Sequence, residues 1–405
     1  MPSLFLAFFP IIKQILLKNN KGSDKMIYIS KFYKGGIFMS GSIFGKMFCI
    51  STFGESHGKA LGVVVDGCPS NIPITLEDIM KNMNRRKPGN PKVGTARKED
   101  DEVEILSGVF EGKTTGTPIA MLIRNTNQHS HDYSQIKDIY RPSHADYTFD
   151  QKYGIRDYRG GGRSSGRETS ARVAAGAIAK KVLEELGITV TAYTRSLGPI
   201  TVTPEAFRLE ECRLNPVNMP SNQIAEDALQ YIAKAKANCD SVGGVVECLI
   251  TGLKPGIGET VFDKLDARLA YAIMGIGAVK AFEIGSGIEA ASMLGSDYND
   301  AFYSENGVVH KHTNHSGGIL GGMSDGSDIV FKAHFKPTPS IAKAQQTINT
   351  SLENTQIEIH GRHDPVVVPR AVVVVESMAA LTLVDLILCD LGANMTNIKA
   401  LYSRK

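Results

Sequence analysis

The pattern of apolar and polar positions predicts a mixture of strands and helices from residue 40 onward. Short β-branched or alternating runs predict strands at 49–53, 61–65, 103–110, 117–123, 242–249 and 366–375. Longer segments predict helices at 75–84, 170–186, 224–237, 262–276 and 377–391. Strands and helices follow one another without regular alternation, which favours an α+β fold over a doubly wound sheet.

Two apolar segments predict how parts of the core pack. The first half of the segment 170–186 consists almost entirely of small residues, so a helix there offers a face onto which another backbone can pack closely. The segment 366–375 is a nearly continuous β-branched run, interrupted only at Pro369 and Arg370. Such a run is typical of a strand buried on both faces, and we predict a buried strand there.

The first 38 residues do not fit this pattern. Residues 4–17 are apolar, but Pro10 and Lys13 interrupt them, whereas a membrane-spanning helix needs ~20 apolar residues. The charge and cleavage pattern of a secretory signal is also missing. We predict a loosely ordered extension over 1–38, or a start codon placed too early, with a membrane-surface helix or an organellar presequence as alternatives. Residues 39–405 are predicted to form a single domain.

Composition excludes several classes of protein. Of the 405 residues, 42% are hydrophobic and 21% are charged, so the chain is not disordered. The net charge of +3 excludes the strongly basic balance of a general nucleic-acid-binding protein. The 40 glycines indicate tight turns, or backbone brought close to a ligand. The six cysteines form no CxxC pair, which argues against a zinc ribbon, and we expect reduced core thiols in a cytoplasmic protein.

Two histidines lie in segments that suit proton transfer. His57 lies between glycines at 54–58, at the end of a predicted strand, where an imidazole can exchange a proton near neutral pH. His144 has Arg141 three residues before it and Asp146 two residues after it. The aspartate can orient the imidazole, and the arginine can hold an anion beside it. A structural role is the alternative for each histidine.

The strongest candidate for ligand binding is the segment 157–172. Three consecutive glycines free its backbone to wrap around a ligand. Planar forks for phosphate and carboxylate groups come from Arg159, Arg163, Arg167 and Arg172. A predicted helix follows directly, so its N-terminal NH groups face the same anion. The segment is neither a P-loop nor a Rossmann turn, and a solvated basic loop is the alternative.

Three further segments contain candidate chemistry. Two glycine pairs at 314–322 are typical of backbone that approaches a flat or anionic ligand, and 335–340 is a stiff loop with one cation and two hydroxyls. We predict no metal site at His310, His312 and His315, because suitably spaced carboxylates and cysteines are missing. Asp364 is either a proton acceptor or part of a plain salt bridge. Together these residues predict a pocket for a polyanion, and either phosphate transfer or elimination.

The chain resembles the chorismate synthase family. The resemblance rests on GESHG at 54–58, NHSGGILGG at 314–322, KPTPS at 336–340, GRHDP at 361–365 and, most specifically, RPSHADYTFDQKYGIRDYRGGGRSSGRETSARVAAGAIAKK at 141–181. It extends from residue 39 or 40 to about residue 399. It implies a β-α-β sandwich, with central helices between antiparallel sheets, that assembles as a homotetramer.

The resemblance also implies the reaction. The family converts 5-enolpyruvylshikimate 3-phosphate to chorismate and phosphate, the last step of the shikimate pathway. The step is a 1,4-anti elimination that needs reduced FMN without net redox change. One phosphate and two carboxylates on the substrate agree with the many arginines. The expected partners are this small molecule and an external flavin reductant, with NADP as an associated nucleotide, and neither nucleic acid nor a membrane.

Residue roles follow from the same resemblance. His57 would protonate the reduced flavin, His144 the departing phosphate, and Asp364 would assist removal of the C6 proton, through flavin N5. FMN would be bound by Arg163, Ser164, Ser165, Gly277, Ala278, Gly321, Lys336, Pro337, Thr338, Pro339, Ser340 and Arg362. The substrate would be bound by Ser56, Arg86, Lys92, Arg141 and Arg167.

The chain departs from the family's pattern at two positions. Lys92 stands where the family commonly has arginine, and lysine keeps the charge but loses the bidentate fork. Gly166 stands where alanine is common. Two alternatives from other classes are a flavin-independent phosphoester-cleaving enzyme that uses both histidines, and an RNA-binding protein that uses the arginine–glycine segment. The second lacks interleaved aromatic residues, since only Tyr158 lies near that segment.

Overall fold

The computed structural model describes residues 41–87, 93–94, 101–125, 137–359 and 364–403. Residues from Ser42 onward belong to one structural unit. The predicted extension over 1–38 lies outside the described residues, and so do Lys92 and Arg362.

The strands are short and occur from one end of this unit to the other. In chain order they are β1 (Ile43–Phe44), β2 (Cys49–Gly54), β3 (Ala60–Asp66), β4 (Val103–Ile105), β5 (Val109–Phe110), β6 (Lys113–Thr114), β7 (Ile119–Arg124), β8 (Thr189–Leu197), β9 (Ile200–Thr201), β10 (Gly244–Thr251), β11 (Val279–Ile284), β12 (Phe302–Glu305), β13 (Val308–Lys311), β14 (Ile319–Leu320), β15 (Met323–Ser324), β16 (Ile329–Phe335), β17 (Gln345–Ile348) and β18 (Asn354–Ile357).

Two five-stranded antiparallel sheets form the outer layers. The first has the order β1-β2-β3-β7-β4, and the second has the order β11-β16-β10-β8-β9. Each sheet buries one face. In β16 the side chains of Ile329, Phe331 and Ala333 are buried and alternate with half-buried ones, as expected where only one face of a strand meets the core.

Two long helices, Thr169–Glu185 and Val368–Asp390, form the centre of the layer between the sheets. The helices are α1 (Leu76–Arg86), α2 (Asp146–Tyr153), α3 (Thr169–Glu185), α4 (Asn222–Ala237), α5 (Leu265–Met274), α6 (Gly295–Tyr298), α7 (Val368–Asp390) and α8 (Met395–Tyr402). Helix α3 contacts the first sheet through β3, α7 contacts the second sheet through β8 and β10, and α3 packs against α7. This is the predicted sandwich with central helices.

The small residues of α3 allow the two central helices to approach closely. A Cβ atom built on Gly176 would lie 2.3 Å from the Cβ of Ser377 in α7. Only glycine therefore fits at this crossing, and the predicted close-packing face is confirmed.

The predicted strand over 366–375 is wrong, because helix α7 begins at Val368 and only Val366 forms an isolated β-bridge, with Val242. Pro369 lies in the first turn, where its missing NH group breaks no helical hydrogen bond. Each β-branched residue disfavours a helix only slightly. Helix α7 is surrounded by protein, so no polar face reveals its helical period. It is long and apolar enough to cross a membrane, but 83% of its apolar stretch is buried inside the protein, as in a core helix.

Smaller differences concern single elements. The predicted strand over 103–110 is divided into β4 and β5, and Gly108 between them has a φ of +80°. Helix α1 continues two residues beyond its predicted end, to Arg86. All six cysteines are free, but Cys239 and Cys389 are exposed and are not core thiols.

Candidate active site

A cavity of about 520 Å³ opens where several elements end. Residues at the N-termini of α3 and α7 line it, together with residues that follow α5 and β16. Its volume lies in the ordinary range for ligand-binding clefts. The predicted site residues that line it are Arg86, Arg141, His144, Arg163, Ser164, Ser165, Arg167, Gly277, Ala278, Lys336, Thr338, Pro339, Ser340 and Asp364.

His144 is held by a buried carboxylate at the start of α2. Its Nδ1 lies 2.8 Å from Oδ1 of Asp146. Arg141 donates to the same carboxylate from Nε at 2.7 Å and from a terminal nitrogen at 2.8 Å. The prediction that the aspartate orients His144 agrees with this geometry. The guanidinium of Arg141 is already ion-paired with Asp146, however. Arg141 therefore lines the cavity while it is bound to this carboxylate.

Asp146 remains ionised in this cluster. Burial raises the pKa of its carboxyl, but the hydrogen bonds and charges of Arg141 and His144 outweigh burial and hold the pKa well below its usual range. An ionised Asp146 accepts a hydrogen bond from Nδ1 of His144. Nε2 is then the ring nitrogen that can exchange a proton with a ligand.

His57 and Ser56 lie behind the cavity lining. Ser56 Oγ is 3.1 Å from Nδ1 of His57, and a Cβ atom built on Gly160 would lie 2.3 Å from that nitrogen. His57 therefore packs directly on the backbone of Gly160, next to the cavity-lining Gly161. Gly160 must be glycine for this approach. The structure brings both predicted residues near the cavity, but outside its lining.

The glycine- and arginine-rich segment lines the cavity with backbone and side chains. It forms two short 3-10 turns, Gly162–Ser164 and Gly166–Glu168, directly before α3. A Cβ atom on Gly166 would meet no atom within 4 Å, so this backbone faces open space. Arg163 donates to Gly54 O at 3.1 Å and to Thr52 Oγ1 at 2.6 Å, which fixes its guanidinium against β2.

The arginines of this segment differ in position. Arg172 lines the cavity, donates to Glu168 at 2.8 Å and is anchored to Gly275 O at 2.8 Å. Arg159 lies outside the lining and pairs with the adjacent Asp157 at 2.6 Å. The expectation that Arg159 contributes a fork to the ligand is therefore wrong for this cavity, because its fork is taken by its own neighbour.

Asp364 lines the cavity and forms an ion pair with Arg370 of α7. Arg370 also donates from Nε to the backbone oxygen of Arg86 at 3.0 Å, and Thr338 donates its hydroxyl to Asp364 O at 3.1 Å. The salt bridge anticipated for Asp364 is present, and it holds the carboxylate at the cavity wall. The sequence did not single out Arg370.

Arg86 and Arg167 share a partner that sequence reasoning missed. Both donate to the buried carboxylate of Asp101. Asp101 belongs to a run of four acidic residues at 99–102. Such a run is typical of a solvated surface, so no local signal distinguishes this carboxylate from its neighbours.

The segment 314–322 forms around a buried lysine. Lys311 donates to Asp325 at 2.7 Å and to Ser316 Oγ at 3.0 Å. A Cβ atom on Gly317 would lie 2.5 Å from the backbone nitrogen of Gly285, so this glycine serves close packing of two backbones. Gly321 lies outside the cavity lining, as does Pro337. Among the described residues, no group of histidine, cysteine and carboxylate side chains is arranged to hold a metal ion.

Comparison with known proteins gives one consistent result. A family model described as chorismate synthase matches residues 48–388. The chain is 60% identical over 367 residues to the chorismate synthase of Lachnoclostridium phytofermentans, covering 90% of this chain and 100% of the relative. It is 54% identical over 352 residues to that of Methanocella arvoryzae, covering 86% of this chain and 94% of the relative.

A solved structure agrees with these sequence relatives. A crystal structure of chorismate synthase matches with a TM-score of 0.70 and 33% identity, covering 89% of this chain and 97% of that one.

Proposed function

The chain belongs to the chorismate synthase family, and on that basis we propose how its cavity residues carry out the family's reaction. The enzyme is a carbon–oxygen lyase. It removes phosphate from 5-enolpyruvylshikimate 3-phosphate by 1,4-anti elimination and gives chorismate: the bond between C3 and the phosphate oxygen breaks, and a proton leaves C6. Membership in this family supports neither flavin-independent phosphoester cleavage nor RNA binding.

The contact of His144 with Asp146, inside a cavity lined by arginines, carries this proposal. The ionised Asp146 accepts from Nδ1 and orients the imidazole, so that Nε2 faces the ligand. Nε2 of His144 then gives a proton to the departing phosphate. A general acid of this kind contributes about 10²- to 10⁴-fold to a rate.

The arginines bind the anionic groups of the substrate. Arg86, Arg141 and Arg167 line the cavity, and we propose that they bind the phosphate and the two carboxylates. Fixed positive charge at the place where negative charge grows on the leaving group lowers the barrier, because the side chains need no rearrangement during the reaction. We predict that Lys92 and Ser56 also bind the substrate.

The residues present fit a flavin mononucleotide. The cavity combines exposed glycine backbone, hydroxyl donors and cations, which are the groups that contact a phosphate and a flat ring. We propose that Arg163, Ser164, Ser165, Gly277, Ala278, Lys336, Thr338, Pro339 and Ser340 hold it. Reduced FMN, when bound, supplies electron density transiently as phosphate departs. For Gly321, Pro337 and Arg362, FMN binding stays a prediction.

Two further residues move protons in this proposal. Asp364, held by Arg370, takes up the proton that leaves the substrate. His57, packed on Gly160 outside the cavity lining, would protonate the reduced flavin, as the family resemblance implies. We also propose, from the family resemblance, a homotetramer, cytoplasmic location and an external flavin reductant.

An anaerobic assay tests the function directly. The purified full chain is given 5-enolpyruvylshikimate 3-phosphate with and without reduced FMN, and chorismate absorbance and released phosphate are followed together. We expect equal amounts of both products, and only with reduced FMN. Phosphate without chorismate, or turnover without flavin, would contradict the proposal.

A further inference from the structure

Asp101 joins two cavity arginines that come from different parts of the chain. Arg86 ends helix α1, whereas Arg167 belongs to the 3-10 turn before α3. One carboxylate oxygen of Asp101 accepts from Arg86, and the other accepts from Arg167. The carboxylate therefore fixes the spacing between two guanidinium groups that the backbone alone does not connect.

Asp101 lies behind these arginines, not in the cavity. Both arginines line the cavity, while Asp101 lies outside the lining and its side chain is 0% exposed. A ligand can therefore contact the arginines without displacing the carboxylate. Because an unpaired buried carboxylate is very unfavourable, Asp101 depends on these arginines for its charge to be compensated.

The backbone of Asp101 supports the same reading. Its φ is +46°, in the left-handed region that residues with a side chain rarely adopt. Such a conformation persists only where the surroundings impose it. Here the two ion pairs hold the residue two positions before β4, with its carboxylate turned toward the arginines.

We propose that Asp101 is a positioning residue that sets the geometry of Arg86 and Arg167 for the anionic substrate. The inference rests on the proposed role of these arginines. It assigns Asp101 no contact with substrate or flavin. Loss of its charge should leave both arginines in the cavity wall on their remaining contacts, such as that of Arg167 Nε with Asn125 Oδ1. Their spacing is then no longer set by a shared carboxylate, so substrate binding weakens while flavin binding does not.

The test compares Asp101→Asn with Glu104→Gln in the full-length protein. Glu104 lies three residues later, in an exposed ion pair with Arg124, so its variant is a matched loss of one carboxylate. Binding of 5-enolpyruvylshikimate 3-phosphate is measured with oxidised FMN present, which permits no turnover, and FMN binding is measured separately. We expect the substrate Kd of Asp101→Asn to rise about tenfold, with an unchanged FMN Kd. Glu104→Gln should match the wild type in both.

A double variant separates positioning from a general loss of structure. If Asp101 acts through Arg167, adding Asp101→Asn to Arg167→Ala should weaken substrate binding less than it does in the wild type. Asp101→Glu keeps the charge and should bind substrate with intermediate affinity, and it serves in place of Asp101→Asn if that variant does not fold.

The outcomes distinguish the role of Asp101 from the proposed substrate site at the arginines. Wild-type substrate binding in Asp101→Asn, with binding lost in Arg167→Ala, overturns the role of Asp101 alone. An equal loss of FMN and substrate binding in Asp101→Asn also overturns it, in favour of a structural role. Wild-type substrate binding in Arg167→Ala and Arg86→Lys alike would refute the proposed arginine site, and the role of Asp101 with it.

Discussion

Arg85 and Arg86 are neighbours in the last turn of α1, yet they serve different regions of the molecule. Arg85 binds the buried carboxylate of Glu376 in α7 through both terminal nitrogens, at 2.6 and 2.8 Å. Arg86 binds Asp101 and lines the cavity. Successive helical residues point about 100° apart, so one turn of helix supplies one arginine to Glu376 and another to the site.

The cluster around Glu376 differs from those around Asp101 and Asp146 in whether its cations line the cavity. Glu376 also accepts from Arg213 at 2.5 Å, from Ala192 N at 3.0 Å and from Lys180, and thereby connects α7 with α1, α3 and β8. These cations lie outside the lining of the cavity. Arg86 and Arg167, which bind Asp101, and Arg141, which binds Asp146, line it. All of these clusters pair arginines with a buried carboxylate, so their position relative to the cavity is what distinguishes binding from structure.

The largest expected effect is a loss of turnover on the cavity side. His144→Ala removes the proposed proton donor while leaving the arginines and glycines in place. We expect kcat to fall about 10²- to 10⁴-fold, with FMN affinity and thermal stability close to wild type. The measurement is anaerobic turnover with reduced FMN, together with FMN titration and thermal unfolding. Wild-type turnover would remove His144 from this role.

A substitution in the Glu376 cluster should lower the stability of the protein and not its turnover. Glu376→Gln leaves three cations around a neutral group in the core, and breaking a buried ion pair in this way costs about 3 kcal/mol or more. We expect the free energy of unfolding to fall by that order, as measured by denaturant titration. Activity per folded molecule should remain. A stable variant that has lost turnover would erase the distinction between the two clusters.

Arg163→Ala should produce a smaller, specific effect on flavin binding. A lost hydrogen bond to a charged group costs about 1.5–3 kcal/mol, so the FMN Kd should rise about tenfold or more. Arg159→Ala is the matched control, since Arg159 belongs to the same segment but pairs with Asp157 outside the cavity lining. Equal effects of the two variants on the FMN Kd would argue against a specific role for Arg163.

The smallest expected effect is the loss of stability that acid causes through Glu376. Burial raises the pKa of Glu376, but Lys180, Arg85 and Arg213 outweigh burial and lower it well below its usual value. This group therefore stabilises the fold fully above the unfolded pKa of about 4.3, and its contribution is lost as the pH falls toward the lower folded pKa. Between pH 5 and pH 3 the wild type should lose about 1.5 kcal/mol more stability than Glu376→Gln. Parallel losses would mean that Glu376 is not responsible.

Much of the site was predictable from the sequence because its residues are close together in the chain. Arg141, His144 and Asp146 lie within six residues and form one cluster. The glycine-rich segment at 314–322 was harder to interpret. Its glycines resemble those of a ligand cradle, but Gly317 packs on Gly285, and only the fold brings those two residues together.

The sequence by itself determined the family and the α+β class, and it singled out the two histidines and the arginine–glycine segment as candidates. Each of these depends on residues that are neighbours in the chain or on a long local motif. Only the tertiary structure decided that residues 368–375 are helical, that Asp101 binds Arg86 and Arg167, and that Arg85 binds Glu376. These properties depend on contacts between distant segments. Burial between two sheets overrides the β-branched preference of α7, and a carboxylate reveals its role only where it meets its cations.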